Sequence, residues 1–320
     1  MKVAVLSFAH ECATAYARLL RDMPGVDVVT ADQGDPARGR AAAERLGVSH
    51  MDTWDEVFAA RPDAVVVTSE VGLRRELVER AAGVGAQVLC EHPLAVEEAD
   101  AQAVVDACAD AGVRLALASP AWFSPAFTAV REAIAGGGAV GELMTLHGAY
   151  DSPDRSRGAL GAAPYLLDLV DAVLGGEQAE QVYAQTNSVL SADPGVESAA
   201  LVSVRYPSGV VAAIDCGWNP EGRRAGGPTM TFVGDRGSVE FDARPRLLGG
   251  FDTIAGGELW EPGGADPHAV MLGEFVAAVG EGRAVGPDGA AGVRALRIVR
   301  AACESARTGQ PVDVAAPSPG

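Results

Sequence analysis

The chain has 320 residues, 48% of them hydrophobic, and a formal net charge of −18. The length suits two domains rather than one, and the acidity makes nucleic acid and anionic membranes poor partners. No run approaches the ~20 apolar residues of a membrane span. The opening "MKVAVLSF" lacks a signal-peptide pattern, so a cytoplasmic protein is expected. Five scattered cysteines without a CxxC pair point away from a disulfide framework and from zinc, and no metal is expected.

The first third alternates strand and helix. "KVAVLSF" reads as a strand and "CATAYARLLRDMPG" as a helix closed by Pro-Gly. "VDVVTAD" is the second strand. "DPARGRAAAERLG" is a helix with an Asp N-cap, a first-turn proline and a glycine stop. After the short helix "DTWDEVFAARP" come the strand "DAVVVTS", the helix "VGLRRELVERAAGVG", the strand "AQVLCE", the helix "VEEADAQAVVDACADAG" and the strand "VRLALAS". Nearly all-apolar strands separated by such helices imply βαβ units and a parallel sheet covered on both faces.

The pattern changes near residues 118–120. The helix "SPAFTAVREAIA" and a Gly-rich turn lead into alternating strands: "LMTLHGAY", "AEQVYAQTNSVL", "AALVSVRYPSGVVAAIDCGW" and "TMTFVGDRGSVEFDA". "YPSG" and "GDRG" are hairpin turns. "MLGEFVAAVGEG" and "GVRALRIVRAACESARTG" are amphipathic helices, and the Pro/Ser-rich end of "PVDVAAPSPG" is expected to be loose. The fold class is α/β: a doubly wound parallel Rossmann domain over 1–118, then a domain over 119–320 with an open, mostly antiparallel sheet.

A strand, a turn, a helix and Asp32 at the end of the second strand form the skeleton of a dinucleotide site. That carboxylate would hydrogen-bond the ribose hydroxyls of NAD and repel the 2′-phosphate of NADP. The turn departs from the usual glycine fingerprint, whose glycines let backbone amides approach a pyrophosphate. Here it is "LSFAHECAT", with Ser7, Ala9 and Cys12 near the glycine positions. Serine and alanine are small enough for close approach, yet neither takes positive φ easily. The expected cofactor contacts are Ser7, Phe8, Ala9 and His10 of the turn, Asp32, Ser69, Glu70 and Glu91. NAD(H) is the expected cofactor.

"VLCEHPLA" puts Glu91-His92-Pro93 at the carboxyl end of a parallel strand, the edge at which open α/β sheets bind ligands. This segment, "FSPAFTAVREAIAGGGAVGEL", "YLLDLVDAVLGG", "YPSGVVAAIDCGW", "VGDRGSVEF" and the stretch from "EFVAAVGEG" to "ARTGQPV" together resemble the Gfo/Idh/MocA oxidoreductases, in order, over nearly the whole chain. The resemblance implies hydride transfer between NAD(P) and a sugar, cyclitol or related hydroxy compound. It also implies dimers or tetramers built through the open sheet. It places the family's catalytic lysine at His92. Anchoring on Asp168 and Gly175 places the family's catalytic histidine at Tyr165 and its aspartate at Gly161, and an arginine often found before Phe-x-Pro at Trp122.

These departures leave three readings open. One is a nicotinamide-dependent oxidoreductase for a small hydroxylated or carbonyl compound, with a rearranged proton relay. In it His92 gives or takes a proton at neutral pH, Tyr165 donates to a developing alkoxide, and Asp168, three residues on, pairs with His92 or binds substrate hydroxyls. The second is a redox-neutral cyclase, isomerase or lyase of a specialised biosynthetic pathway on the same scaffold. The third is a non-catalytic binding protein. Trp122, Tyr150, Cys216 and Trp218 are candidate pocket residues, and Cys12 or Cys216 would be a nucleophile only with a neighbour that lowers its pKa.

Overall fold

The computed structural model describes residues 1–135, 140–152, 158–218, 227–252 and 257–314, with backbone only over 246–252 and 257–262. Two compact units emerge: Met1–Pro120 with His268–Arg297, and Ala121–Pro267 with Ile298–Gly320. Among the described residues no helix is long and apolar enough to cross a membrane.

In the first unit the elements run β1 (Lys2–Leu6), α1 (Ala13–Arg21), β2 (Asp27–Ala31), α2 (Pro36–Leu46), β3 (Ser49–Met51), α3 (Trp54–Ala59), β4 (Ala64–Val67), α4 (Val71–Gly83), β5 (Gln87–Cys90), α5 (Glu98–Asp110) and β6 (Leu115–Leu117). Local chemistry sets the boundaries. Asp35 caps α2 by accepting from the Arg38 N–H, Pro36 fills its first turn, and Gly47 ends it at φ 67°. Thr53 and Glu56 form a reciprocal capping box at α3. The strands pair in parallel in the order β3-β2-β1-β4-β5-β6. This is the doubly wound arrangement whose strand order reverses between β1 and β4. The sequence reading has no counterpart to β3. "SHM" is a three-residue edge strand that is not fully buried, so it lacks the apolar run that marked the others.

Register decides what lies at the carboxyl edge. Leu6 stands opposite Ala31 and Val67, and Val67 opposite Cys90. The next residues, Asp32, Ser7, Thr68 and Glu91, therefore leave four adjacent strands side by side. At the usual strand spacing this row is about 14 Å long.

The second unit contains α6 (Pro125–Ala135), β7 (Leu143–Ser152), α7 (Ala163–Val173), β8 (Gln181–Asn187), β9 (Ala199–Arg205), β10 (Val211–Trp218), β11 (Thr229–Gly234), β12 (Ser238–Asp242), and the hairpin β13 (Arg246–Asp252) with β14 (Gly257–Pro262). The helices α8 (Pro267–Glu281) and α9 (Gly289–Thr308) and the short β15 (Val312–Asp313) follow. The large sheet has the order β12-β11-β7-β10-β9-β8-β15. Among the described residues of this sheet only β7 and β10 run parallel; the other pairings are antiparallel. β15 comes from the tail that the sequence suggested would be loose; residues 315–320 lie outside the described residues.

The sequence reading assigned 119–320 wholly to the second domain, whereas His268–Arg297 pack with the first unit. The physical reason is close apolar contact where α9 begins. The Leu117 N–H donates to Pro287 O at 2.8 Å. A Cβ at Gly289 would come within 2.7 Å of Leu115 Cδ2 and 2.8 Å of Val105 Cγ2, so only glycine fits there unshifted. Gly289→Ala is expected to lower stability by about 1–3 kcal/mol through overpacking. A reduced urea midpoint would show it, and an unchanged midpoint would contradict this packing.

Candidate cofactor and proton-transfer site

Asp32 is fully buried at the end of β2 and its charge is matched from two sides. The Phe8 N–H donates to Oδ2 at 2.9 Å and the Ser7 hydroxyl to Oδ1 at 3.1 Å. Arg38, on α2, donates to both carboxylate oxygens at 2.7 and 3.0 Å, and also to Glu70 at 3.1 Å. Those carboxylates raise the Arg38 pKa further, with the Asp32 hydrogen bond the largest cause, so the guanidinium is always charged. Gly39 lets α2 sit this close: a Cβ there would meet Asp32 Cβ and His50 Cε1, each at 2.7 Å.

The turn after β1 makes its reversal without glycine. Ser7 takes φ 77°, a conformation that costs a non-glycine residue roughly 1–2 kcal/mol. Serine occupies the glycine conformation here despite that cost. Its side chain offsets the strain, because Ser7 Oγ bonds Asp32 and accepts from the Ala9 N–H at 3.1 Å. Thr68 locks the turn onto the end of β4. Its hydroxyl donates to Ser7 O at 2.7 Å, and its carbonyl accepts from the His10 N–H at 3.1 Å.

Glu91 is the second buried carboxylate of this edge. Tyr16, on the buried face of α1, donates its hydroxyl to Oε1 at 2.7 Å. The His92 N–H reaches Oε2 at 3.3 Å, and His10 Nδ1 lies 3.6 Å from Oε1. Burial pushes the Glu91 carboxyl up, but His10, the Tyr16 hydrogen bond, Arg74 and His92 together outweigh it and hold the pKa below the ordinary carboxylate value. The His92 side chain is itself buried beside it.

Arg74 is the largest fully buried side chain of the molecule's described core. From α4 it donates to Ser69 O at 3.2 and 3.1 Å, to Glu91 O at 2.6 Å, and to Pro93 O. One guanidinium thereby ties the segment after β4 to the segment after β5. The sequence reading missed Arg74, Arg38, Thr68 and Tyr16. Two of them carried a signal: Arg74 shares its helix face with Leu77, Val78 and Ala81, and Tyr16 lies on the apolar face with Ala13, Ala17 and Leu20. A polar group on a buried helical face needs a partner.

The remaining expected residues lie in the second unit. Tyr165 and Asp168 sit one turn apart on α7, with Asp168 buried. Tyr165 meets Tyr150 of β7 edge-on, ring centroids 5.9 Å apart. Cys216 stands opposite Tyr150 in the sheet. The Trp218 indole donates to Glu197 O at 2.9 Å. Trp122 carries the Arg131 guanidinium 4.1 Å above its ring, a cation–π contact. Burial pushes the Cys216 thiol up to about 12, which removes it as a nucleophile at neutral pH.

Together the strand order, the β1 turn and the acidic end of β2 define a Rossmann protein of the dinucleotide-binding class. Residues 5–119 match the model of the oxidoreductase family with an NAD-binding Rossmann fold, and residues 150–314 match the same family's C-terminal alpha/beta domain. The chain belongs to the Gfo/Idh/MocA oxidoreductase family. It is 30% identical to D-apiose dehydrogenase of Paraburkholderia graminis, over 71% of this chain and 64% of that one. It is 26% identical to inositol 2-dehydrogenase 1 of Saccharopolyspora erythraea, over 98% of this chain and 96% of that one. The crystal structure of GenD2 from gentamicin A biosynthesis in complex with NAD has the same fold. Its TM-score is 0.87 at 24% identity, over 99% of this chain and 97% of that one.

Two outcomes test this geometry. Arg74→Leu strands buried carbonyl acceptors worth about 1–3 kcal/mol each and is expected to cost at least ~3 kcal/mol. A thermal midpoint within a degree or so of the parent would contradict the role given to Arg74. Cys90, whose thiol burial also pushes up to about 12, and Cys216 should resist iodoacetamide at about pH 8 in the native protein and react once it is denatured. Native-state labelling of Cys216, located by peptide mapping, would contradict its burial.

Proposed function

We propose that the protein is an NAD(P)-dependent oxidoreductase acting on a small hydroxylated or carbonyl compound of the sugar or polyol type. One observation carries the reading: Ser7 adopts the left-handed conformation of the missing glycine while its own hydroxyl and the Phe8 amide hold Asp32 in place. A left-handed residue at this point of the turn is what a dinucleotide turn would use a glycine for, which supports the reading. Family membership and the dehydrogenase relatives support the substrate class.

NAD is favoured over NADP. Asp32 and Glu70 flank Arg38, so the ribose end faces two carboxylates and one cation. Asp32→Ala removes the acceptor for the ribose hydroxyls and releases Arg38 toward a 2′-phosphate. The variant is expected to lose at least ~10-fold in NAD affinity, about 1.4 kcal/mol, and to close the gap to NADP. An unchanged NAD:NADP ratio would contradict the assignment.

The proposed proton-transfer candidates, each taken within its own unit, are His92 in the first and Tyr165 with Asp168 in the second, for the substrate hydroxyl proton that leaves as hydride leaves the same carbon. A nicotinamide cofactor supplies only the hydride acceptor. The test is a panel of polyols and aldoses with NAD, followed by the absorbance of the reduced nicotinamide. Turnover that falls at least ~100-fold in both His92→Ala and Tyr165→Phe, as removal of general acid–base groups does, supports both assignments. No turnover with any member, despite cofactor binding, would favour a redox-neutral acid–base reaction. The reading of Glu91-His92-Pro93 as having histidine at the lysine position gives that second possibility its specific support.

The open face of the second unit's sheet supports self-association. Leu201 is 57% exposed and Tyr183 37% exposed on neighbouring strands. A homodimer or homotetramer through this face is expected by light scattering, with Leu201→Arg shifting it toward monomer. A monomeric parent would contradict it.

A further inference from the structure

We propose that His10, Cys12 and Glu91 form a binding site for a divalent transition-metal ion, zinc by the chemistry of the set, with His268 as the fourth ligand. One ligand atom from each of the first three already lies within 4.8 Å of the others. His10 Nδ1 and Glu91 Oε1 are 3.6 Å apart, and Cys12 Sγ and His268 Nε2 are 3.9 Å apart. Four ligands around a tetrahedral zinc, at ordinary Zn–N, Zn–O and Zn–S lengths, stand about 3.3–3.7 Å from one another. The 3.6 and 3.9 Å separations are within a few tenths of an ångström of that range, and the His10, Cys12 and Glu91 ligand atoms, within 4.8 Å of one another, would draw closer on the ion. The 3.6 Å distance is too long for a hydrogen bond and suits two ligands of one ion.

The donor set is chemically coherent. A thiolate, imidazoles and one carboxylate are the ligands zinc takes, and the soft sulfur disfavours magnesium and calcium. The Cys12 N–H lies 3.3 Å from His10 Nδ1, a weak contact that an ion would displace. Glu91 is fixed by Tyr16 through Oε1 and by the His92 N–H through Oε2, the kind of outer contact that orients a metal-binding carboxylate. Ion binding releases the Cys12 thiol proton to solvent and changes no oxidation state. The sequence expectation of no metal followed from the absence of a local spacing motif. The fold supplies what spacing did not: His10 and Cys12 from the first turn, Glu91 from the end of β5, and His268 from the first turn of α8.

The inference rests on side-chain geometry and is independent of the proposed reaction. Its test uses the full chain stripped of metal by a chelator, then titrated with Co²⁺ and with Zn²⁺. The expected result is one equivalent bound, a thiolate-to-cobalt charge-transfer band, and proton release measured by calorimetry in buffers of different ionisation enthalpy. Cys12→Ala should abolish the band and weaken zinc binding at least ~100-fold, more than loss of an outer-shell partner costs. His268→Ala, at a partly exposed position, should weaken zinc binding while leaving the fold intact by circular dichroism. No stoichiometric binding at micromolar zinc, or equal binding by the parent and Cys12→Ala, overturns the proposal. NADH titration of the same metal-free protein reports separately on the oxidoreductase reading.

Discussion

A carboxylate buried at the end of a parallel strand is the constraint around which the first unit is arranged. Glu91 gives up water on leaving β5, and nothing apolar can repay that loss. The compensation comes from three directions: the Tyr16 hydroxyl from α1, His10 from the β1 turn, and Arg74 from α4. Arg74 acts on that charge through space while its N–H groups bond the carbonyls of Ser69, Glu91 and Pro93. The requirement to neutralise one charge thereby joins the edges of β1, β4 and β5 into a single polar network.

A second buried carboxylate, Asp32, does the same for β1, β2 and α2. Its partners are a backbone amide, a serine hydroxyl and a guanidinium. The two carboxylates bracket the point where the strand order reverses, which is where a doubly wound sheet leaves room for a ligand. Because each is fixed by several donors, the row from Asp32 to Glu91 is preorganised. Ser7 is held at positive φ by side-chain bonds that a glycine would not make.

The fold was legible where hydrophobic pattern and caps agreed. The runs "KVAVL", "DVVTA", "AVVV" and "QVLC" form β1, β2, β4 and β5, and the alternating strands after residue 140 form the mostly antiparallel sheet. What escaped reading depended on tertiary partners. β3 is too short and polar to announce itself. The first half of α9 joins the first unit because of contacts to Val105 and Leu115, far away in sequence. Of the candidate site, the placement of Asp32, Glu91 and His92 after the ends of β2 and β5 was legible from the strand pattern. Arg74 and Tyr16 were visible only as polar groups on apolar helix faces. His268 and Cys12, 256 positions apart, had no common signature at all.

Calorimetric titration of the metal-free protein with NADH tests the central claim most directly, because it asks whether the turn built on Ser7 and Asp32 still holds a dinucleotide. Micromolar binding that weakens in Asp32→Ala is the result expected from this geometry. No binding even at millimolar NADH, in protein shown to be folded, would contradict it.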